Sequence, residues 1–122
     1  MNSAAVKAAL DEAMQIDGAI GAALVDYKSG MTLGTAGGGS TLNLEIAAAG
    51  NTEVVKSKMK VMGQLGLRDR IEDMLITMGS QLHLIRMVTG QTNLFLYLVL
   101  SKAQSNLGMA RHQLGAVEAK LA

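Results

Sequence analysis

The chain predicts an α+β domain, an αβα sandwich in which a five-stranded antiparallel sheet carries helices on both faces, in the order αββαβββα. Three observations predict it. Residues 42–66, LNLEIAAAGNTEVVKSKMKVMGQLG, are the only run long and periodic enough for a helix of about six turns. Five short apolar runs bounded by turn residues have the length of strands. Two of these, AIGAALVDY (19–27) and NLFLYLVL (93–100), lack a polar face, as strands covered on both sides do.

Taken in order, Ser3 can cap a first helix in which Val6, Ala9, Leu10, Ala13 and Met14 recur at helical spacing. Asp17 and Gly18 end it. Strand 19–27 follows, and Lys28, Ser29 and Gly30 turn it into a short return strand, 31–35, with Met31 and Leu33 on one face. The loop GTAGGGST leads into the long helix, for which Ser40 or Thr41 is the expected cap.

That helix has more apolar surface than one sheet requires. At 100° per residue, Leu44, Ala48, Asn51, Val55, Met59 and Met62 form one stripe, and Ala47, Val54, Val61 and Leu65 a second beside it. Together they span roughly 160°, against about 100° for a helix lying on a single sheet. The surplus points to a partner. Ala47, Ala48, Ala49 and Gly50 allow close backbone approach, Asn51 among them can set pairing register, and Glu53, Ser57, Lys60 and Gln64 make the wet side.

Beyond residues 66–70, the run 71–78 places Met74, Ile76 and Met78 on one face. Gly79 and Ser80 turn it into 81–88, where Leu82 and Leu84 face one side and His83, Ile85 and Met87 the other. After TGQT and strand 93–100, Ser101 and Gln104 have the spacing of a capping box. The last helix then carries Ala103, Leu107, Ala110, Leu114, Val117 and Leu121 in a single stripe.

A chain of 122 residues is expected to form one domain, 1–122, able to bury roughly 60% of its unfolded surface without metal or disulfide. It has no cysteine, which removes thiol nucleophiles and cysteine zinc sites and fits a reducing cytoplasm. Acids at Asp11 and Glu12 exclude a signal-peptide reading of the N-terminus, and the longest apolar run, 94–100, is too short for membrane insertion. The expected location is cytoplasmic. A formal net charge of +1 gives no reason to expect nucleic acid as a partner. With no proline or tryptophan and only three aromatics, the core falls to aliphatics and methionines, Met59, Met62, Met74, Met78 and Met87 filling gaps.

Catalytic chemistry finds little support. Gly34, Gly39, Ser40 and Thr41 keep the glycine spacing of a phosphate-binding loop, but Ser40 stands where that loop needs the lysine that reaches the β and γ phosphates. His83 and His112 sit on different elements, and no motif joins them to carboxylates as metal ligands. Phe95 and Tyr97, two apart on a strand, are read as core, since an RNA-stacking sheet needs a second aromatic pair. Lys56, Lys58 and Lys60 point in different directions on a helix and leave only a loosely basic end with Arg68 and Arg70. No enzyme signature and no cofactor follow.

The order αββαβββα, with DGAIGAALVDYKSGMTLG, the helix around AAAGNTEVV and the hairpin IEDMLITMGSQLHLIR, resembles the roadblock / dynein light chain family, and its bacterial members most. The resemblance implies a profilin-like roadblock architecture and a homodimer, joined through the central helix and the strand after it. The matching positions are Ala47, Ala48, Asn51 and Val55 on the helix and Met74 and Ile76 on the strand. It also implies a non-catalytic regulator or scaffold for a Ras-like small GTPase, with Glu53, Lys56 and Lys60 as partner contacts on the helix's polar flank. No arginine finger is selected, because Arg68, Arg70, Arg86 and Arg111 stand equal. A small-molecule sensor, or a dimerisation adaptor without a GTPase, is the alternative.

Overall fold

A computed structural model describes residues 2–121. The elements are α1 (Ser3–Ala13), β1 (Ala19–Asp26), β2 (Met31–Gly37), α2 (Leu44–Gln64), β3 (Asp73–Thr77), β4 (Gln81–Met87), β5 (Leu94–Ser101) and α3 (Leu107–Ala119), with a 3-10 turn at Lys102–Gln104. The sheet order is β2-β1-β5-β4-β3, antiparallel throughout. This is the αββαβββα arrangement expected from the sequence. The two runs without a polar face, β1 and β5, lie inside the sheet, and β2 and β3 are its edges.

Alternation along the strands divides the core in two. Ala22, Leu24, Leu82, Leu84, Leu94, Leu96, Leu98 and Leu100 turn to one face, where Val6, Leu10 and Ala13 of α1 and Ala110, Leu114 and Val117 of α3 cover them. Ala23, Val25, Ile85, Phe95, Tyr97 and Val99 turn to the other, under Leu44, Ala48 and Val55 of α2. A two-residue period on β5 thus supplies both layers. Gly34 of β2 lets α1 lie close, since a Cβ there would stand 2.7 Å from the Val6 methyl. A register shift between Leu24 and Val25 leaves Leu33 unpaired in β2.

The helix caps differ from expectation. Asn2, Asn43 and Asn106 accept from the backbone N–H three residues on, at 2.8, 3.0 and 2.9 Å, in place of Ser3, of Ser40 or Thr41, and of Ser101. The glycine loop is used otherwise. β2 runs on to Gly37, and Gly39 forms a bridge with Leu42, so no residue before Asn43 is free to start α2. Ser101 is the last residue of β5, and the chain makes a 3-10 turn before α3 begins.

Candidate self-association and partner surface

α2 lies over β1 and β2, and its two apolar stripes have different fates. Leu44, Ala48 and Val55 are buried on the sheet, and Met59 packs beside them. Val54, Val61 and Leu65 of the second stripe are exposed, at 41%, 41% and 65%. By helical spacing they share the flank of Asn51, which neighbours Tyr97 of β5, and of Lys58, which lines a cleft with Met74 of β3; on that side Ile85 of β4 is buried and Ile76 of β3 is exposed.

There the edge strand adds Met74, half-buried, with Ile76 and Met78, both exposed. Met74 and Ile76 pair with Ile85 and His83, so they stand on the α2 side of the sheet. The flank of α2 and the edge of β3 therefore border one open, largely apolar stretch of surface, a shallow trough. Unpaired backbone groups along β3 form its outer border.

Of the positions expected at a dimer seam, Ala47, Asn51, Met74 and Ile76 lie along this trough. Ala48 and Val55 do not. Both are fully buried within the protomer, because the 3.6-residue period turns them onto the sheet, and a second chain cannot reach them. The outward apolar positions of the helix are instead Val54, Val61 and Leu65. Asn51 donates from Nδ2 to the Ala47 carbonyl at 2.8 Å, one turn back. Glu53, Lys56 and Lys60 are exposed on the side of α2 away from the sheet.

A polar chain crosses the floor of the trough. His83 Nε2 lies 2.9 Å from Gln81 Oε1, and His83 Nδ1 lies 2.8 Å from the Tyr97 hydroxyl, the two rings meeting edge to face. Burial holds the His83 pKa below and the Tyr97 pKa above their ordinary values, the neighbouring Asn51 amide partly offsetting the latter. Neutral imidazole is favoured here. Phe95 and Tyr97 are buried core residues, as their strand predicts. Sequence spacing signalled none of this chain, since its members sit on two strands joined only by register.

On the opposite face, Asp73 of β3 takes a bidentate contact from Arg111 of α3, at 2.8 and 3.1 Å. Asp73 raises the pKa of that guanidinium. Arg86 bridges Asp73 and the buried Glu118, which also accepts from Thr89 at 2.9 Å. These ties hold the edge strand to α3. Among the described residues no group of three or more His, Asp or Glu side chains comes together to hold a metal, and no helix is long and apolar enough to cross a membrane.

A cleft of about 490 Å³ opens at the C-terminal end of α2, lined by Tyr27, Met59, Met62, Ile71, Met87 and Arg70 among others. Met59, Met74 and Met87 pack against the core as expected, Met59 and Met87 also lining this cleft, whereas Met62 lines the cleft without joining the core and Met78 is exposed.

No model of a protein family matches the chain, and no curated protein matches its sequence. Solved structures do resemble it. MglB of Myxococcus xanthus superposes with a TM-score of 0.86 at 15% identity, over 97% of this chain and 85% of that one. A Roadblock/LC7 domain of Streptomyces avermitilis follows at 0.79 and 8% identity, over 98% and 93%. An MglB with a tetrameric arrangement reaches 0.78 at 18%, over 97% and 88%. The superpositions span nearly the whole chain, and the chain thus has the roadblock fold in the form seen in bacterial MglB.

Proposed function

We propose that this protein is a homodimeric, non-catalytic regulator or scaffold that binds a Ras-like small GTPase. The observation that carries the reading is the open trough between α2 and β3, an apolar surface beside an unpaired strand edge. Left bare, such a surface is an aggregation site, and one isologous two-fold contact covers flank and edge together. Ala47, Asn51, Val54, Met74 and Ile76 then form the seam. The tetrameric arrangement of one MglB is consistent with self-association in proteins of this fold.

Once the seam has formed, Glu53, Lys56 and Lys60 remain outward on both long helices, beside the exposed Ile46. That polar surface is the proposed GTPase contact. Regulation requires unequal affinity for the GDP and GTP forms, because equal binding shifts nothing. The test is titration against small GTPases of the source cell, each loaded with GDP or a GTP analogue. Binding to none of them refutes the reading, and equal binding to both forms reduces it to a scaffold. The cleft beside Met59 and Met62 favours a second reading, a small-molecule sensor. A small molecule retained through purification, with no GTPase bound, would decide for it.

A further inference from the structure

His83 stands at the centre of the trough, opposite Ile76 of β3 and Val99 of β5. Both ring nitrogens are engaged, Nε2 with the Gln81 carbonyl oxygen and Nδ1 with the Tyr97 hydroxyl. A carbonyl oxygen only accepts, so Nε2 carries the proton, and Nδ1 accepts from the phenol. This pattern belongs to a neutral ring. Protonation would turn Nδ1 into a donor, force the phenol to accept, and leave the phenolic proton to find a new partner. We propose that His83 makes self-association through the α2–β3 face sensitive to acid: the dimer forms with both His83 rings neutral and dissociates when they are protonated.

The surroundings support this. From β5 the ring meets Tyr97, and on its own strand Gln81 and Ile85 share its face. From β3 it meets Ile76, and the nearest acid on that face, Glu72, lies four residues along the strand, about 13 Å away at the usual rise. From α2 the flank turned this way offers Asn51 and one cation, Lys58. No carboxylate forms an ion pair with the ring among the described residues, and its desolvation already disfavours the charged form. A second copy seated on this face would desolvate the ring further.

The sign follows from linkage. Covering the ring lowers its pKa in the dimer below that in the protomer, so the dimer binds fewer protons, and association weakens as pH falls through the protomer's value. Two rings per dimer double the effect.

The inference rests on the self-association proposed above, and one experiment separates the two. Sedimentation velocity is run across a concentration series at about pH 7.5 and about pH 5.5 on the wild type, His83→Gln and His112→Gln, with circular dichroism at both pH values. His112 is exposed on α3 and serves as control. The expected result is a dimer Kd that rises severalfold on acidification in the wild type and His112→Gln, and stays level in His83→Gln. A dimer of unchanged Kd, a pH dependence that survives in His83→Gln, or unfolding in place of dissociation would overturn the switch alone. A wild type that is monomeric at the higher pH would overturn the dimer and the switch together.

Discussion

Val54→Glu is expected to separate the protomers while leaving the stability of each unchanged, whereas Ala48→Glu is expected to destabilise the fold itself. The two positions lie six residues apart on one helix and differ in what covers them. Val54 retains 41% of its exposure in the protomer, and Ala48 retains none. Fully burying a valine contributes roughly 1.5–3 kcal/mol, so covering the remaining two-fifths gives roughly 0.6–1.2 kcal/mol per protomer and twice that per dimer. Glutamate removes this and places two like charges in a desolvated seam, for a total of at least about 3 kcal/mol, or about 100-fold or more in Kd. At position 48 the same carboxylate would sit unpaired between helix and sheet, costing about 3–5 kcal/mol of the roughly 5–15 kcal/mol that holds a domain together. Sedimentation reads the first effect and thermal melting by circular dichroism the second. A Val54→Glu protein that dimerises as tightly as the wild type, or that melts as early as Ala48→Glu, would refute the assignment of the two stripes.

Other outcomes are equally specific. Calorimetry is expected to find no micromolar binding of GTP or ATP by the purified protein, because Ser40 occupies the lysine position of a phosphate loop and the glycines before it are taken up in β2 and the bridge to Leu42. Glu118→Ala should lower stability by about 1–3 kcal/mol in urea titration, since it strips the buried acceptor from Arg86 and Thr89. Gly34→Val should cost about 1–3 kcal/mol, because its Cβ would meet Val6 at 2.7 Å and Leu10 at 3.0 Å. The lowered pKa of His83 predicts unfolding free energy that is level above the ordinary imidazole value near 6.5 and declines as pH falls from there through the lower folded-state value; His83→Gln should flatten that decline.

What the sequence determined by itself is the set of elements and their order. Period-2 and period-3.6 patterns are local, and β1 and β5 could be placed inside the sheet because a strand without a polar face has no side to give to water. The surplus on α2 was legible too, since Ala47, Val54, Val61 and Leu65 form a second stripe by helical spacing alone. Helix starts were not legible. Each of the three has several cap-forming residues in a short span, and the choice among them depends on where the preceding chain is still engaged, as β2 to Gly37 and β5 to Ser101 show.

Which stripe meets the sheet was likewise decided only by tertiary structure. Helical periodicity is symmetric about the axis and cannot distinguish the face turned inward from the one beside it, so spacing alone admits Ala48 and Val55 to the seam, whereas β1 and β2 lie beneath them. The same holds for Gln81, His83 and Tyr97, and for Asp73, Arg86, Arg111 and Glu118. Their contacts cross between strands or from strand to helix, and strand register and helix docking, which no local pattern encodes, bring them within hydrogen-bonding distance.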